Sequence, residues 1–212
     1  RAKADLAFIK IRDYCIYPQI QKLYFFIIDA AGPVRDWDAS PDMLHNWPRL
    51  VKLEWILCDN IGNELAAASR VIKPNGFIIP TKSSRFHGIT TERALAEGVS
   101  LCDVLDEAWP MIKAANCAIS HHISLNEKIL GAEYLRLGRP YPFSAIMRCC
   151  TMETSVDFCA IPGLAGRFLS PSLTQLYLKL FPDRNNGVNR PSVQICKAAY
   201  FELRKRGIIA QN

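Results

Sequence analysis

The stretch that most limits how this chain can fold is Leu23-Tyr-Phe-Phe-Ile-Ile-Asp29. Aromatic and β-branched residues suit a pleated strand, and a run without polar alternation has no face to give to water. Such a strand must be covered on both sides, so the rest of the chain has to supply layers above and below a sheet. The run ends on an acid, which puts a carboxylate at the strand terminus.

The neighbouring segments supply those layers. From Val51 the period becomes two: Val51, Leu53, Trp55 and Leu57 alternate with Lys52, Glu54, Ile56 and Cys58. Asp59-Asn-Ile-Gly-Asn63 is a turn signal, and Glu64 to Lys73 returns as an antiparallel partner. Pro74-Asn-Gly76 closes the hairpin, and Ala30 to Pro48, with its glycine and prolines, reads as loop. Ser100 with Asp103 resembles a capping box before a helix over Leu101 to Lys113. Ala114 to Ser120 reads as a short strand. Asn126 to Leu137 reads as a helix stopped by Gly138, and Ser172 to Phe181 as a helix with one apolar face. Pro191 suits the first turn of a last helix that ends at Lys205-Arg206-Gly207. Residues 1–22 stand apart as an N-terminal extension, leaving 23–212 as the folded domain. The order of elements predicts an α/β mixed sheet flanked by helices.

Half of the 212 residues are apolar, enough for a core of that kind. The net charge of +6 permits a polyanionic partner without requiring one. No apolar run reaches the ~18 residues of a membrane span. Eight cysteines, none in a C-x-x-C pair, read as reduced, buried thiols of a cytoplasmic protein.

Several segments together resemble one family, the DEDDh 3′–5′ exonucleases of the ribonuclease H-like fold, which includes the proofreading subunit of bacterial DNA polymerase III and ribonuclease T. They are Phe25–Asp29, Trp47–Leu53, Val71–Pro80, His87-Gly-Ile-Thr-Thr-Glu92, Ile119–Asn126, Cys150–Met152 and the closing helix from Lys197 to Gly207. The matches run in order from about residue 23 to 209. The resemblance implies four acids and a histidine around two divalent metals, Mg²⁺ or Mn²⁺, that activate a water and stabilise the leaving oxygen.

Set against those motifs, one catalytic position of five is kept. The first motif keeps Asp29, but Ala31 stands at the glutamate position. The second runs His121-His122-Ile-Ser-Leu-Asn126, so its acid is a neutral amide. Counting back from Tyr200 puts Gly187 at the histidine and Ser192 at the last acid, and no residue from Asn185 to Gln194 is acidic or a histidine. A single Glu-to-Ala exchange at 31 could be engineered, whereas four unlike replacements read as natural decay. Asp29 alone should hold Mg²⁺ weakly if at all, so no cofactor and no useful turnover are expected.

What a groove without its acids can still do is bind. Removing carboxylates lowers the repulsion of a phosphate backbone. The resemblance puts His87, with Phe86, Arg85 and Lys82 beside it, near a terminal nucleotide, and His121 and His122 at the other wall. Lys73, Arg136, Arg139 and Lys197 are further candidates to track phosphates. Three readings stay open on the sequence alone. They are a degenerate exonuclease domain that binds a single strand or 3′ end within a larger complex, a protein-interaction scaffold, and an active metal-dependent exonuclease with a rebuilt site.

Overall fold

The computed structural model describes residues 21–183 and 189–210. Its elements are β1 (Lys22–Ala30), β2 (Leu50–Asp59), β3 (Glu64–Val71), α1 (Thr81–His87), α2 (Thr91–Glu97), α3 (Leu101–Ala114), β4 (Cys117–Ser120), α4 (Ile123–Arg136), β5 (Met147–Cys150), α5 (Val156–Cys159), β6 (Ile161–Pro162), β7 (Phe168–Leu169), α6 (Leu173–Leu180) and α7 (Ser192–Lys205). Five strands form one sheet in the order β3-β2-β1-β4-β5, and β6 and β7 form a small separate ribbon. β1 lies at the centre, antiparallel to β2 and parallel to β4.

The apolar run of β1 is covered on both faces, as its composition requires. Tyr24 and Phe26, with Leu53, Trp55 and Leu57 of β2, pack against Val104, Leu105, Ala108 and Ile112 of α3 and Ile129, Leu130 and Tyr134 of α4. Leu23 and Phe25, with Ile56 and Cys58, pack against Leu176 and Leu180 of α6 and Val193, Cys196, Ala199, Tyr200 and Leu203 of α7. The two alternating sets in β2 are therefore its two covered faces. The charged exceptions, Lys52 and Glu54, lie on the α7 face at the end beside Asp29, because Asp29 pairs directly with Lys52 and Ile27 with Glu54. The register then shifts by one residue between Asp29 and Ala30, a bulge that re-aims the chain just beyond the acid.

Several boundaries differ from the sequence expectation. Lys22, assigned to the extension, already belongs to β1, whereas residues 1–20 lie outside the described residues. α4 begins at Ile123, three residues before Asn126, because His122 takes a left-handed turn (φ 66°) that starts it early. Ser100 accepts from the Asp103 N–H, one half of the expected box, while Ser172 and Gln175 make a complete one at α6. α1, α2 and β5 to β7 were not anticipated; they are short, and their periodicity is too brief to register. No helix among the described residues is long and apolar enough to cross a membrane. The seven described cysteines are unpaired, and Cys102 is exposed rather than buried.

Candidate functional site

A cleft of about 550 Å³ opens at the C-terminal end of β1. Its lining includes Asp29 and Gly32 to Val34 beyond β1, Trp37 in the following loop, Lys82, Ser83, Phe86 and His87 of α1, and Leu125, Asn126 and Ile129 of α4. The fold thus brings Asp29, Asn126, His87, Phe86 and Lys82 together. Arg85 is exposed on α1 outside that lining, Ser192 is exposed at the first turn of α7, and Gly187 lies outside the described residues.

Asp29 is partly buried, and burial pushes its carboxyl above the ordinary range; Lys52 and His87 pull it back and Glu54 adds to the rise. Lys52 Nζ is 2.5 Å from Glu54 Oε1. The other oxygen of Glu54 accepts from the Val193 N–H at the start of α7 (3.2 Å), and Ser69 Oγ donates to the first at 3.4 Å. Glu54 is almost fully buried, so these partners are what make its charge tolerable there.

Ala31 is partly buried against Val51, Ile79, Ile89 and Ala94, so the position the resemblance gives to glutamate is an apolar packing contact. Asn126 is built into its surroundings as an amide. Its Nδ2 donates to Ser120 Oγ (2.7 Å) and to the His121 carbonyl (3.1 Å). Ser120 Oγ itself donates to the Phe26 carbonyl at 2.6 Å, so it must accept from residue 126, and a carbonyl can only accept. A carboxylate could satisfy neither contact.

The histidines divide by role. His87 Nδ1 accepts from the Ile89 N–H (3.2 Å), which puts the ring proton on Nε2. That Nε2 is shielded from solvent and has no hydrogen-bond partner among the described residues, so the cleft holds an unused donor beside Asp29. His121 differs from expectation. Its Nδ1 meets Thr151 Oγ1 (3.1 Å) and its Nε2 meets the Pro171 carbonyl (2.9 Å), and burial lowers its pKa to about 4. Both nitrogens serve the fold, which corrects its placement among the strand contacts. The ring of His122 stacks on Trp37, with centroids 5.4 Å apart and planes 15° from parallel; burial lowers its pKa too, with Glu153 opposing.

Phe86 is 86% exposed and Trp37 55%, two aromatic rings at the cleft held open to water. Of the further basic candidates, Arg136 is paired with Glu133, Arg139 with Asp106 and Lys197 with Glu64, so their charges are spent internally. Lys73, Lys82 and Arg85 form no ion pair among the described residues. Trp37, Lys52 and Glu54 are not among the expected site residues. The signal for the last two is a charged pair inside an otherwise apolar strand, which burial obliges to find partners. Trp37 has no comparable signal in its polar loop.

The pair of divalent cations that the resemblance implies does not fit these residues. Among the described residues Asp29 is the one carboxylate in the cleft lining, and no three His, Cys, Asp or Glu side chains converge as a metal requires. Glu54 is engaged by a lysine and a backbone N–H.

The mixed five-stranded sheet flanked by helices is the ribonuclease H-like exonuclease fold. Solved structures of exonuclease I match it. The Escherichia coli enzyme in complex with a dA16 oligonucleotide has a TM-score of 0.68 at 13% identity, covering 88% of this chain and 41% of that one. The same enzyme with dT13 gives 0.66 at 14%, covering 88% and 41%, and a product-bound exonuclease I gives 0.66 at 13%, covering 88% and 44%. At such identity the likeness is one of fold, and this chain spans less than half the length of the chains it matches. No protein-family model matches the sequence, and no curated protein matches it.

Proposed function

We propose that this chain is a catalytically degenerate 3′–5′ exonuclease-like domain that holds a nucleic-acid strand, single-stranded or by its 3′ end, without cutting it, within a larger complex. The observation that carries this reading is the composition of one cleft. Two exposed aromatic rings, an unused imidazole N–H and an unpaired lysine surround a strand end that presents a single carboxylate. Rings of that kind stack on any base, and Lys82 and the His87 donor suit phosphate or hydroxyl oxygens. Hydrolysis through two metals needs several converging carboxylates, so holding a strand requires no cofactor here while cutting it would. The exonuclease I structures with dA16 and dT13 support a nucleic acid as the ligand.

Fluorescence anisotropy with a 5′-labelled dT oligonucleotide tests the reading. Saturable binding is expected at ~50 mM salt, weakening as salt rises, since phosphate contacts release counterions. The oligonucleotide should stay full length with Mg²⁺ or Mn²⁺. Absence of binding at low salt removes the proposal. Shortening that is lost in Asp29→Ala would instead establish an active exonuclease.

A second reading, a protein-interaction scaffold, is favoured by the β6–β7 ribbon, where Leu164, Phe168 and Leu169 are exposed together. Exonuclease I has also been solved with SSB. Co-purification of a fixed protein partner with no nucleic-acid affinity would select it.

A further inference from the structure

The end of β1 does not look like a metal site that has lost its ligands; it has a positive charge of its own. Lys52 stands directly opposite Asp29 in the β1–β2 register, so the two side chains leave the sheet on the same face. Its ammonium is fixed 2.5 Å from Glu54, and the second Glu54 oxygen rests on the N–H of Val193 at the start of the 14-residue α7. Two carboxylates, one ammonium and the positive end of a helix, equivalent to roughly half a charge, come close to electrical balance. The lysine side chain remains about a quarter exposed (26%), so part of the ammonium still faces solvent.

We propose that Lys52 is the resident cation of this site: its ammonium, anchored by Glu54 opposite Asp29, balances the local carboxylates, excludes divalent ions and makes the domain's grip on a phosphate backbone independent of them. The last part rests on the strand-holding function; the exclusion of divalent ions does not. A divalent ion entering here would have to displace an ammonium already paired to a buried carboxylate, and it would find one free carboxylate to compensate its dehydration. Replacing the lysine by a neutral residue leaves Asp29 and Glu54 as two acids on one face with nothing between them. That pair is a metal site in the making.

The experiment is a Mn²⁺ titration followed by electron paramagnetic resonance, in which bound ion loses the signal of the free ion. Wild-type protein should leave Mn²⁺ free, as should Lys52→Arg, which keeps the charge. Lys52→Met should gain Mn²⁺ affinity by about tenfold or more, and the gain should vanish when Asp29→Asn is added. In parallel, dT oligonucleotide affinity of the wild type should agree within about twofold between chelator and Mg²⁺, and Lys52→Met should bind about tenfold more weakly in chelator. Tight Mn²⁺ uptake by wild-type protein, lost in Asp29→Asn, overturns the proposal, and so does a folded Lys52→Met that gains no Mn²⁺. If Lys52→Met does not fold, the wild-type and Lys52→Arg titrations still decide. Failure of the wild type to bind oligonucleotide would remove the strand-holding function, while the Mn²⁺ titration would still judge the lysine.

Discussion

Phe86→Ala separates ligand binding from folding more cleanly than any other change at the cleft. The ring is 86% exposed at the end of α1, so almost none of its surface is buried by the fold. Its loss should stay within the ±0.5 kcal/mol typical of surface substitutions, a shift of about 2 °C or less in Tm for a chain this size. A base stacked on it contributes about 1–3 kcal/mol, which corresponds to roughly 5- to 150-fold in Kd. Trp37 has a partner already, the His122 ring at 5.4 Å, so Trp37→Ala should cost binding and also about 1 kcal/mol of stability. The double variant distinguishes two arrangements. Losses that add mean that the rings hold different bases, and losses that fall short of adding mean that they share one. The assay is anisotropy with a labelled dT oligonucleotide at ~50 mM salt, with a thermal melt as control. If both single variants bind within about twofold of the wild type, the cleft does not hold bases, and the open rings need another explanation.

Three other changes test the framework of the site. Glu133 is fully buried, accepts from Arg49 Nε and the Leu50 N–H at 2.9 Å each, and pairs with Arg136. Glu133→Ala should therefore cost about 3 kcal/mol, seen as a fall of roughly 6–12 °C in Tm; a change below about 2 °C would contradict the burial argument. Asn126→Asp restores the family's acid yet turns a donor toward two acceptors, so it should destabilise by about 1–3 kcal/mol in urea unfolding and restore no nuclease activity; an unchanged midpoint would refute the amide assignment. His121 titrates near 6.5 when unfolded and about 4 when folded, so between those values the unfolded chain binds the extra proton. Its contribution is complete above 6.5 and is lost as pH falls towards 4, by at most about 3 kcal/mol. In urea midpoints measured against pH, His121→Gln should flatten that acid limb, and an unaltered slope would assign it to other groups.

The sheet was legible because its signals are long: a six-residue apolar run before Asp29, a two-residue period over Val51 to Cys58, and a turn at Asp59 to Asn63 whose carboxylate accepts from the Ile61 and Asn63 N–H groups. α3, α6 and α7 were legible from caps and spacing. The short helices that bring Phe86 and His87 to the cleft were not, since seven residues give barely two turns of pattern and α1 buries no side chain completely. At the site, Asp29 could be named because a strand ending in an acid is a local feature. The Lys52–Glu54–Val193 arrangement joins residues 139 positions apart, and only register and packing bring them together. His121 shows the converse limit: adjacent histidines look alike in sequence, and the difference lies in the Thr151 and Pro171 groups that one of them meets.

The central position of β1 has a consequence for how such a molecule can change over time. Both layers of the protein are anchored on the strand that carries Asp29, whereas the surrounding positions, Ala31 and Asn126, are each secured by an apolar contact or a neutral amide. Reactivity and architecture were therefore separable. Acids that crowd one another add nothing to cohesion, so a lineage could shed them without disturbing the furrow they once lined, leaving a shape free to be put to other use.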